Sequence, residues 1–514
     1  MSDELALLPG YLAAHLELTL VALGVGTALS VPAGILITRR RAFEAPLLGL
    51  ASVIQTIPSL ALLAIMVPAL ALASAWLEPR LGISLPAIGA LPALVALTLY
   101  ATLPILRNTV VGIAGVDPAV IEAARGVGMS GREQLLRVEL PLALPVVVAG
   151  VRTATVWVVG AATLSTPVGA TSLGNFIFSG LQTRNFAAVW LGCVASAALA
   201  LLLDGVVRVL EVGLRERRRG LVAAAAGALA VLGAGAGFEC FAARGAAAGA
   251  VTVGSKTFTE QYVLSEILAG VVESRTQRRA RAVQSLGSTV LFDALTQNEI
   301  DVYVDYSGTL WATLLRRSRL PDDREGVRRE VERWLADEHG IAVAAALGFE
   351  NTYALAVRGA QARELGLESI GDLAPLAPSL EIGGDYEFFV RPEWKAVESA
   401  YGLRFRAQRS MDSSLMYEAL ARGEVDVISA FSTDGRIAAL DLRVLADDRR
   451  VIPPYDALVL VGARIAREAP DVLAALRRLD GAIDADAMRR MNAAVDRDGR
   501  SPGAVAREFL ARLD

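Results

Sequence analysis

The sequence predicts two folds in one chain: an all-α membrane domain of about six transmembrane helices, followed by an α/β domain. Three observations predict this. Charge is divided unevenly along the 514 residues: residues 1–250 carry 13 acidic and 16 basic side chains, and residues 251–514 carry the remaining 41 and 34. The first half is therefore sparse in charge at net +3, and the second is dense at net −7. The first half also holds a series of charge-free windows about as long as the roughly 20 residues that a spanning helix needs. The second half alternates short strand-like and helix-like segments instead. Such a composition, 54% hydrophobic, excludes intrinsic disorder and a plain cytosolic enzyme. No basic stripe dominates, so no nucleic-acid partner is expected.

The membrane elements follow from the windows. They cover residues 18–38, 45–77, 81–106, then from Glu139 to 183 with Arg152 as the interruption, then 185–203 and 220–238. Pro58 and Pro68 predict a kink or break in the second window, where neighbouring helices can satisfy the freed carbonyls. Arginines predict the orientation. Arg39, Arg40 and Arg41, then Arg107, Arg125, Arg132 and Arg137, then Arg215, Arg217, Arg218 and Arg219 fall on one side if 45–77 is a single span. The intervening loops carry little more than Arg80 and Arg184. The positive-inside rule makes the arginine-rich side cytoplasmic, with the N-terminus outside. The domain boundaries are then a membrane bundle over 1–212, an anchor helix over 213–241, a short linker over 242–250 and an outer domain over 251–514. The N-terminus lacks the basic region of a cleaved signal peptide. Arg152 is left open between a structural and a functional role. Cys193 and Cys240 cannot make a disulfide framework, and Gly237-Phe238-Glu239 is a poor context for lipidation of Cys240.

The loop between the third and fourth windows reads Glu122-Ala123-Ala124, three residues, Gly128, nine residues, then Val138-Glu139-Leu140-Pro141. The residues predict a short helix, a glycine break and a second helix, with Pro141 starting the next span. The spacing resembles the EAA signature of binding-protein-dependent ABC importer permeases, with Val138 where that pattern has Ile. The resemblance implies that Glu122, Ala123, Ala124 and Gly128 belong to a coupling helix that docks into an ATPase subunit. It extends over roughly 11–212, where the flanks look like the osmoprotectant-uptake branch. The chain has two lysines, Lys256 and Lys395, and neither follows a glycine, so a phosphate-binding loop is absent. ATP and Mg would be bound by a separate ATPase partner, and no cofactor or metal is expected in this chain.

In the second half, Val251–Gly254, Ala282–Leu286 and Val302–Val304 read as strands, and Thr259–Glu273 and Thr289–Thr296 as helices. This alternation predicts mostly parallel sheets, and two lobes suit the length better than one. Ligands in such folds bind beyond the carboxyl ends of strands. Ser255-Lys256-Thr257, Tyr306-Ser307-Gly308-Thr309 and Ser432-Thr433-Asp434-Gly435 each follow a strand. Eight of the ten tyrosines lie in this half. Several aromatic faces converging on a cleft make a box for a quaternary ammonium, each worth about 0.5–2 kcal/mol. Any one of them alone is as well explained by core packing.

Read together, these stretches resemble osmoprotectant substrate-binding proteins for glycine betaine, carnitine and choline. Gly254–Gln261, Asp305–Thr309, Asn351–Leu355, Glu387–Pro392, Met411–Tyr417, Ala430–Ile437 and Pro453-Pro454-Tyr455 carry the resemblance. It implies a two-lobed periplasmic-binding-protein-like clamp, with lobe one over 251–355 and 457–514 and lobe two over 356–456. It also implies an aromatic cage of Tyr306, Tyr353, Trp394 and Tyr417. Thr309, Ser255 and Lys256 would face the polar end of the ligand. Lys256 is either a partner for a ligand carboxylate or a solvated surface lysine. Asp434 either caps the cleft or touches the ligand. The expected function is the fused permease and binding subunit of an ABC importer for quaternary amines, acting as a homodimer in the cytoplasmic membrane. The rivals are an importer of ergothioneine or another betaine-like compound, and a membrane-tethered ligand sensor. His15 and His339 form no catalytic motif, so the chain is expected not to be an enzyme.

Overall fold

The computed structural model describes residues 2–183, 185–247, 249–284, 286–315 and 324–513, so Arg184 lies outside the described residues. The chain forms two compact units, one containing residues 1–178 and 187–248 and the other residues 179–186 and 249–514.

The first unit is entirely helical. Its helices are α1 (Ser2–Arg39), α2 (Glu44–Thr56), α3 (Ser59–Leu81), α4 (Ala90–Ala114), α5 (Pro118–Gly126), α6 (Gly131–Gln134), α7 (Leu140–Ala162), α8 (Gly174–Gln182), α9 (Phe186–Arg215) and α10 (Arg219–Ala247). Among the described residues, six helices are long and apolar enough to span a membrane. The window 45–77 breaks between α2 and α3, where Pro58 cannot continue the hydrogen-bond ladder, and the Ile57 carbonyl accepts the Tyr100 hydroxyl from α4. Pro68 stays inside α3 without ending it. Small residues let the helices meet closely. A Cβ on Gly34 of α1 would lie 2.6 Å from Thr109 Cγ2 of α4, and one on Gly150 of α7 would lie 2.6 Å from Asn108 Cβ.

Polar side chains fasten this bundle. The His15 ring of α1 bridges the Val159 carbonyl of α7 at 3.1 Å and the Leu173 N–H at 3.3 Å. The amide donates to Nδ1, which places the proton on Nε2. Arg152, left open in the sequence, donates to Asp204 of α9 through Nε at 2.7 Å and Nη2 at 3.1 Å, and lies 3.5 Å from Glu211. Its position is that of a structural ion network between α7 and α9.

The expected linker over 242–250 is shorter than the sequence suggested, because α10 runs to Ala247. Alanine is the strongest helix former, and the alanines of 242–247 extend the anchor.

The second unit has two five-stranded sheets. The strands are β1 (Val251–Gly254), β2 (Ala280–Val283), β3 (Val302–Tyr306), β4 (Ala342–Glu350), β5 (Tyr353–Arg358), β6 (Glu381–Gly384), β7 (Ala407–Ser410), β8 (Val427–Phe431), β9 (Leu442–Leu445) and β10 (Asp456–Val461). The sheet orders are β2-β1-β3-β10-β4 and β7-β6-β8-β5-β9. β1 pairs in parallel with β2 and β3, and β6 with β7 and β8. β10 and β5 instead run antiparallel to both of their neighbours. The sheets are thus mixed, not mostly parallel. β5 and β10 arrive from the other lobe and need no crossover helix within their own sheet. The outward crossing is Asn351–Thr352, slightly before the expected 355, because β5 already begins at Tyr353. The return lies between β9 and β10. Every residue of β3 and β10 is buried, as expected for central strands covered on both faces.

Candidate functional site

The strand ends of the second unit converge on a cavity of about 200 Å³ between the two lobes. Its aromatic wall is built from four rings in sequence. Tyr306 ends β3, and its ring stands 6.3 Å from Phe258, which precedes helix α11 (Thr259–Arg275). Phe258 stacks on Phe431 at the end of β8, with centroids 5.8 Å apart and planes 4° apart. Phe431 meets Tyr353, the first residue of β5, at 5.1 Å. The wall therefore passes from lobe one to lobe two without interruption. Gly308 lets a fifth lining ring, Tyr455, come close, since a Cβ there would sit 2.5 Å from it, and Tyr455 meets Tyr353 edge-on at 5.9 Å. Tyr386 also lines the cavity.

The polar lining has both signs of charge. Lys256 lines the cavity but is neither solvated nor free: it is buried and ion-paired with Asp305. Its Nζ lies 5.4 Å from the Tyr306 ring centre. Arg391 sits 5.1 Å over the Tyr353 ring and pairs with Glu393 at 3.1 Å and Glu387 at 3.3 Å. Burial opposes its charge, but Tyr353, Tyr455 and Glu393 more than offset this and hold it protonated. Both tyrosine faces thus already attract a protein cation. Asp385, Glu387 and Asp412 supply the negative side, and burial pushes the Asp385 carboxyl up. Burial, and then the Glu260 charge beside it, holds the Tyr306 hydroxyl protonated.

The structure brings Tyr306, Tyr353, Thr309 and Lys256 together at this cavity. The other four expected residues stand behind it. Trp394 is buried in the core of lobe two against Phe388, Phe389 and Phe405, and only Phe388 in turn touches Tyr353. Trp394 lies on the buried face of the helix Pro392–Tyr401, with Val397 and Tyr401. Tyr417 is fully buried and spends its hydroxyl accepting the Phe431 N–H at 3.0 Å. Asp434 pairs with Arg436 at 2.6 Å, and Arg436 covers the Tyr417 ring at 4.0 Å. Tyr417, Arg436 and Asp434 therefore brace Phe431. Ser255 is buried in the turn after β1, where its N–H bonds the Val283 carbonyl. Phe258, Phe431, Arg391 and Tyr455 are among the lining residues that sequence reasoning passed over. Each lay within a quoted stretch.

In the helical unit, Asp117 caps α5 by accepting the Ala119 N–H at 2.9 Å. Glu122 and Ala123 are exposed and Ala124 is buried. Gly128 takes φ +82°, the left-handed conformation that ends the short helix. A capping box between Ser130 and Glu133 then starts α6. The residues 135–139 form a wide π turn that runs into α7, so the second helix and the span are continuous. Pro141 lacks the N–H and crowds the Arg137 carbonyl, which accounts for the widened turn. Glu139 is buried there and held by Arg39 of α1 at 2.5 Å and by Gln134 at 2.8 Å.

Comparison with known proteins agrees with both halves. Residues 30–216 match the family "binding-protein-dependent transport system inner membrane component". Residues 249–512 match the family "substrate binding domain of ABC-type glycine betaine transport system". The ergothioneine transport permease/ergothioneine binding protein EgtU of Helicobacter pylori is 31% identical over 490 residues, 93% of this chain and 84% of that protein. The glycine betaine/carnitine/choline permease OpuCB of Bacillus subtilis is 39% identical over 197 residues, 38% of this chain and 83% of its own length. The carnitine transport binding protein OpuCC of Listeria monocytogenes is 29% identical over 266 residues, 51% of this chain and 86% of its own. The chain is a multi-pass membrane transporter subunit, and it belongs to the ABC importers, joining an inner-membrane component to a binding domain of the glycine betaine type.

Proposed function

We propose that this chain imports a small quaternary amine of the glycine betaine, carnitine and choline class. The observation that carries this reading is the continuous ring wall Tyr306–Phe258–Phe431–Tyr353 across the two lobes. Ring faces attract a cation without needing a hydrogen bond from it, and a trimethylammonium group offers none. Thr309 and Lys256 also line the cavity and would face the polar end of the ligand. Closing the lobes removes water and strengthens these attractions.

The exposed Glu122–Gly128 segment suits a dock for a separate ATPase, which would hold ATP and Mg. Two copies would form the pore, with the arginine-rich loops cytoplasmic and the binding domain outside. A mere sensor has no use for such a dock, and the permease family match argues against that role.

A second reading is ergothioneine import. It is favoured by the Helicobacter protein, whose likeness runs through both halves in one polypeptide. Calorimetric titration of the full chain in detergent with glycine betaine, carnitine, choline and ergothioneine separates the two. Micromolar or tighter binding of a betaine, weakened in Phe431→Ala, supports the proposal. Binding of ergothioneine alone replaces the substrate. Binding of none of them removes the ligand class.

A further inference from the structure

Tyr306 lines the cavity, and its hydroxyl donates to Glu260 Oε1 at 2.5 Å. Glu260 lies in the first turn of α11 and is 2% exposed. Asn351 Nδ2 reaches the same oxygen at 3.0 Å. The second oxygen accepts the Thr433 hydroxyl and, at 3.3 Å, Asn492 Nδ2. These donors come from different parts of the clamp. Tyr306 ends a strand of lobe one, and Asn351 is in the outward crossing. Thr433 is in the turn after β8 of lobe two, and Asn492 is on the lobe-one helix Ala485–Asp496. Asn492 also donates to the Thr433 carbonyl at 2.8 Å. Two residues further, Gly435 approaches that helix so closely that a Cβ would lie 2.7 Å from Ala493 N.

A buried carboxylate whose bonded neighbours are all neutral donors is costly to keep. An apolar side chain of the same size would spare the buried charge but leave these four donors without this acceptor. The carboxylate does something a filler cannot, because its two oxygens hold opposite lobes. One fixes the ring that lines the cavity, and the other fixes the turn of the facing lobe.

We propose that Glu260 is a positioning residue that ties occupation of the cavity to closure of the two lobes. A ligand seated on the Tyr306 ring holds its hydroxyl on Glu260, and Glu260 so held keeps Thr433. For the ligand's chemistry this rests on the quaternary amine reading above; the clasp itself does not.

The test uses the full chain in lipid nanodiscs, with Cys193 and Cys240 replaced by alanine. Spin labels at Asp337 in lobe one and Glu364 in lobe two, both exposed, report the separation of the lobes by pulsed electron resonance. Glycine betaine is expected to shift the wild type to the short separation. Glu260→Leu, which fills the volume without acceptors, is expected to lose most of that shift and to bind betaine at least tenfold more weakly. Glu260→Gln keeps one acceptor and recovers part of both. Thr433→Val leaves Glu260 in place, removes the lobe-two donor and gives the same loss, which decides the matter should the Glu260 variants misfold. Unchanged distance distributions in Glu260→Leu and Thr433→Val overturn the proposal. Should the wild type bind no quaternary amine, the ligand class is wrong and the unliganded distributions decide: a smaller short-separation population in the variants sustains the clasp, and identical populations overturn it.

Discussion

Phe431 presents its ring to the cavity while Tyr417, Arg436 and Asp434 hold it from behind. Removing that ring should weaken binding of a quaternary amine by roughly 2- to 30-fold, the equivalent of about 0.5–2 kcal/mol for one cation–π face. Trp394→Ala should behave differently. It empties a core position, costs about 3–5 kcal/mol of stability and is read by thermal unfolding of the full chain. Its milder relative Trp394→Phe should leave betaine affinity within a few-fold of wild type in titration. A ring that lines a cavity and a ring that braces the liner share one spacing and one local composition. The difference between Phe431 and Tyr417 lies in the pairing of β8 with β5, which local sequence does not carry. Tyr306 and Tyr353 were legible because each ends or begins a strand facing the cleft. The pairing of Lys256 with Asp305 was not, although both lie in quoted stretches 49 residues apart. Arg152 follows the same logic in the bundle, where its partner lies 52 residues away on another helix.

At the scale of elements, α11 carries a buried carboxylate, Glu260, and a half-buried one, Glu266, with different roles. Burial raises Glu266 above its ordinary value of 4.5, and Arg507 pulls the other way. A carboxyl raised on folding binds more protons in the folded state. Its stability contribution is full below the unfolded value and is lost as pH rises through the folded one. Chemical denaturation of wild type and Glu266→Gln between pH 4.5 and 7.5 should therefore show the wild type losing stability relative to the variant as pH rises. The loop before α7 rests on Gly128 at φ +82°. Gly128→Val should cost about 1–2 kcal/mol locally, since a side chain resists the left-handed conformation. Ligand-stimulated ATP hydrolysis by the reconstituted complex should fall while betaine affinity stays unchanged. Most elements were legible from apolar windows and from strand-helix alternation. The π turn at 135–139 was not, because it arises from Pro141 acting back on a helix that begins ten residues earlier. The extension of α10 was missed because a glycine among alanines reads as linker, while the alanines prevail within an established helix.

At the scale of the whole molecule, receptor and permease share one backbone, and the anchor helix ends four residues before β1 begins. A short tether of this kind holds its domain at an effective concentration of order mM. Inserting a protease site after Ala250 and cleaving it in proteoliposomes should make uptake depend on total receptor concentration, whereas the intact chain should not. The two-domain plan was the most legible feature of all, since charge density alone separates the halves. The mixed sheets were least so, because β5 and β10 pair with strands made far earlier or later. That pairing has a bearing on biogenesis. β10 is the strand that joins β3 to β4, yet it begins at Asp456, 150 residues after β3 ends at Tyr306. Until the chain has threaded out through the second sheet and back, the first keeps two raw edges, and strand edges of that kind invite aggregation. The receptor half should therefore refold slowly and in a single cooperative step, with neither lobe recoverable alone, as expected where long-range pairings must close before they are rewarded.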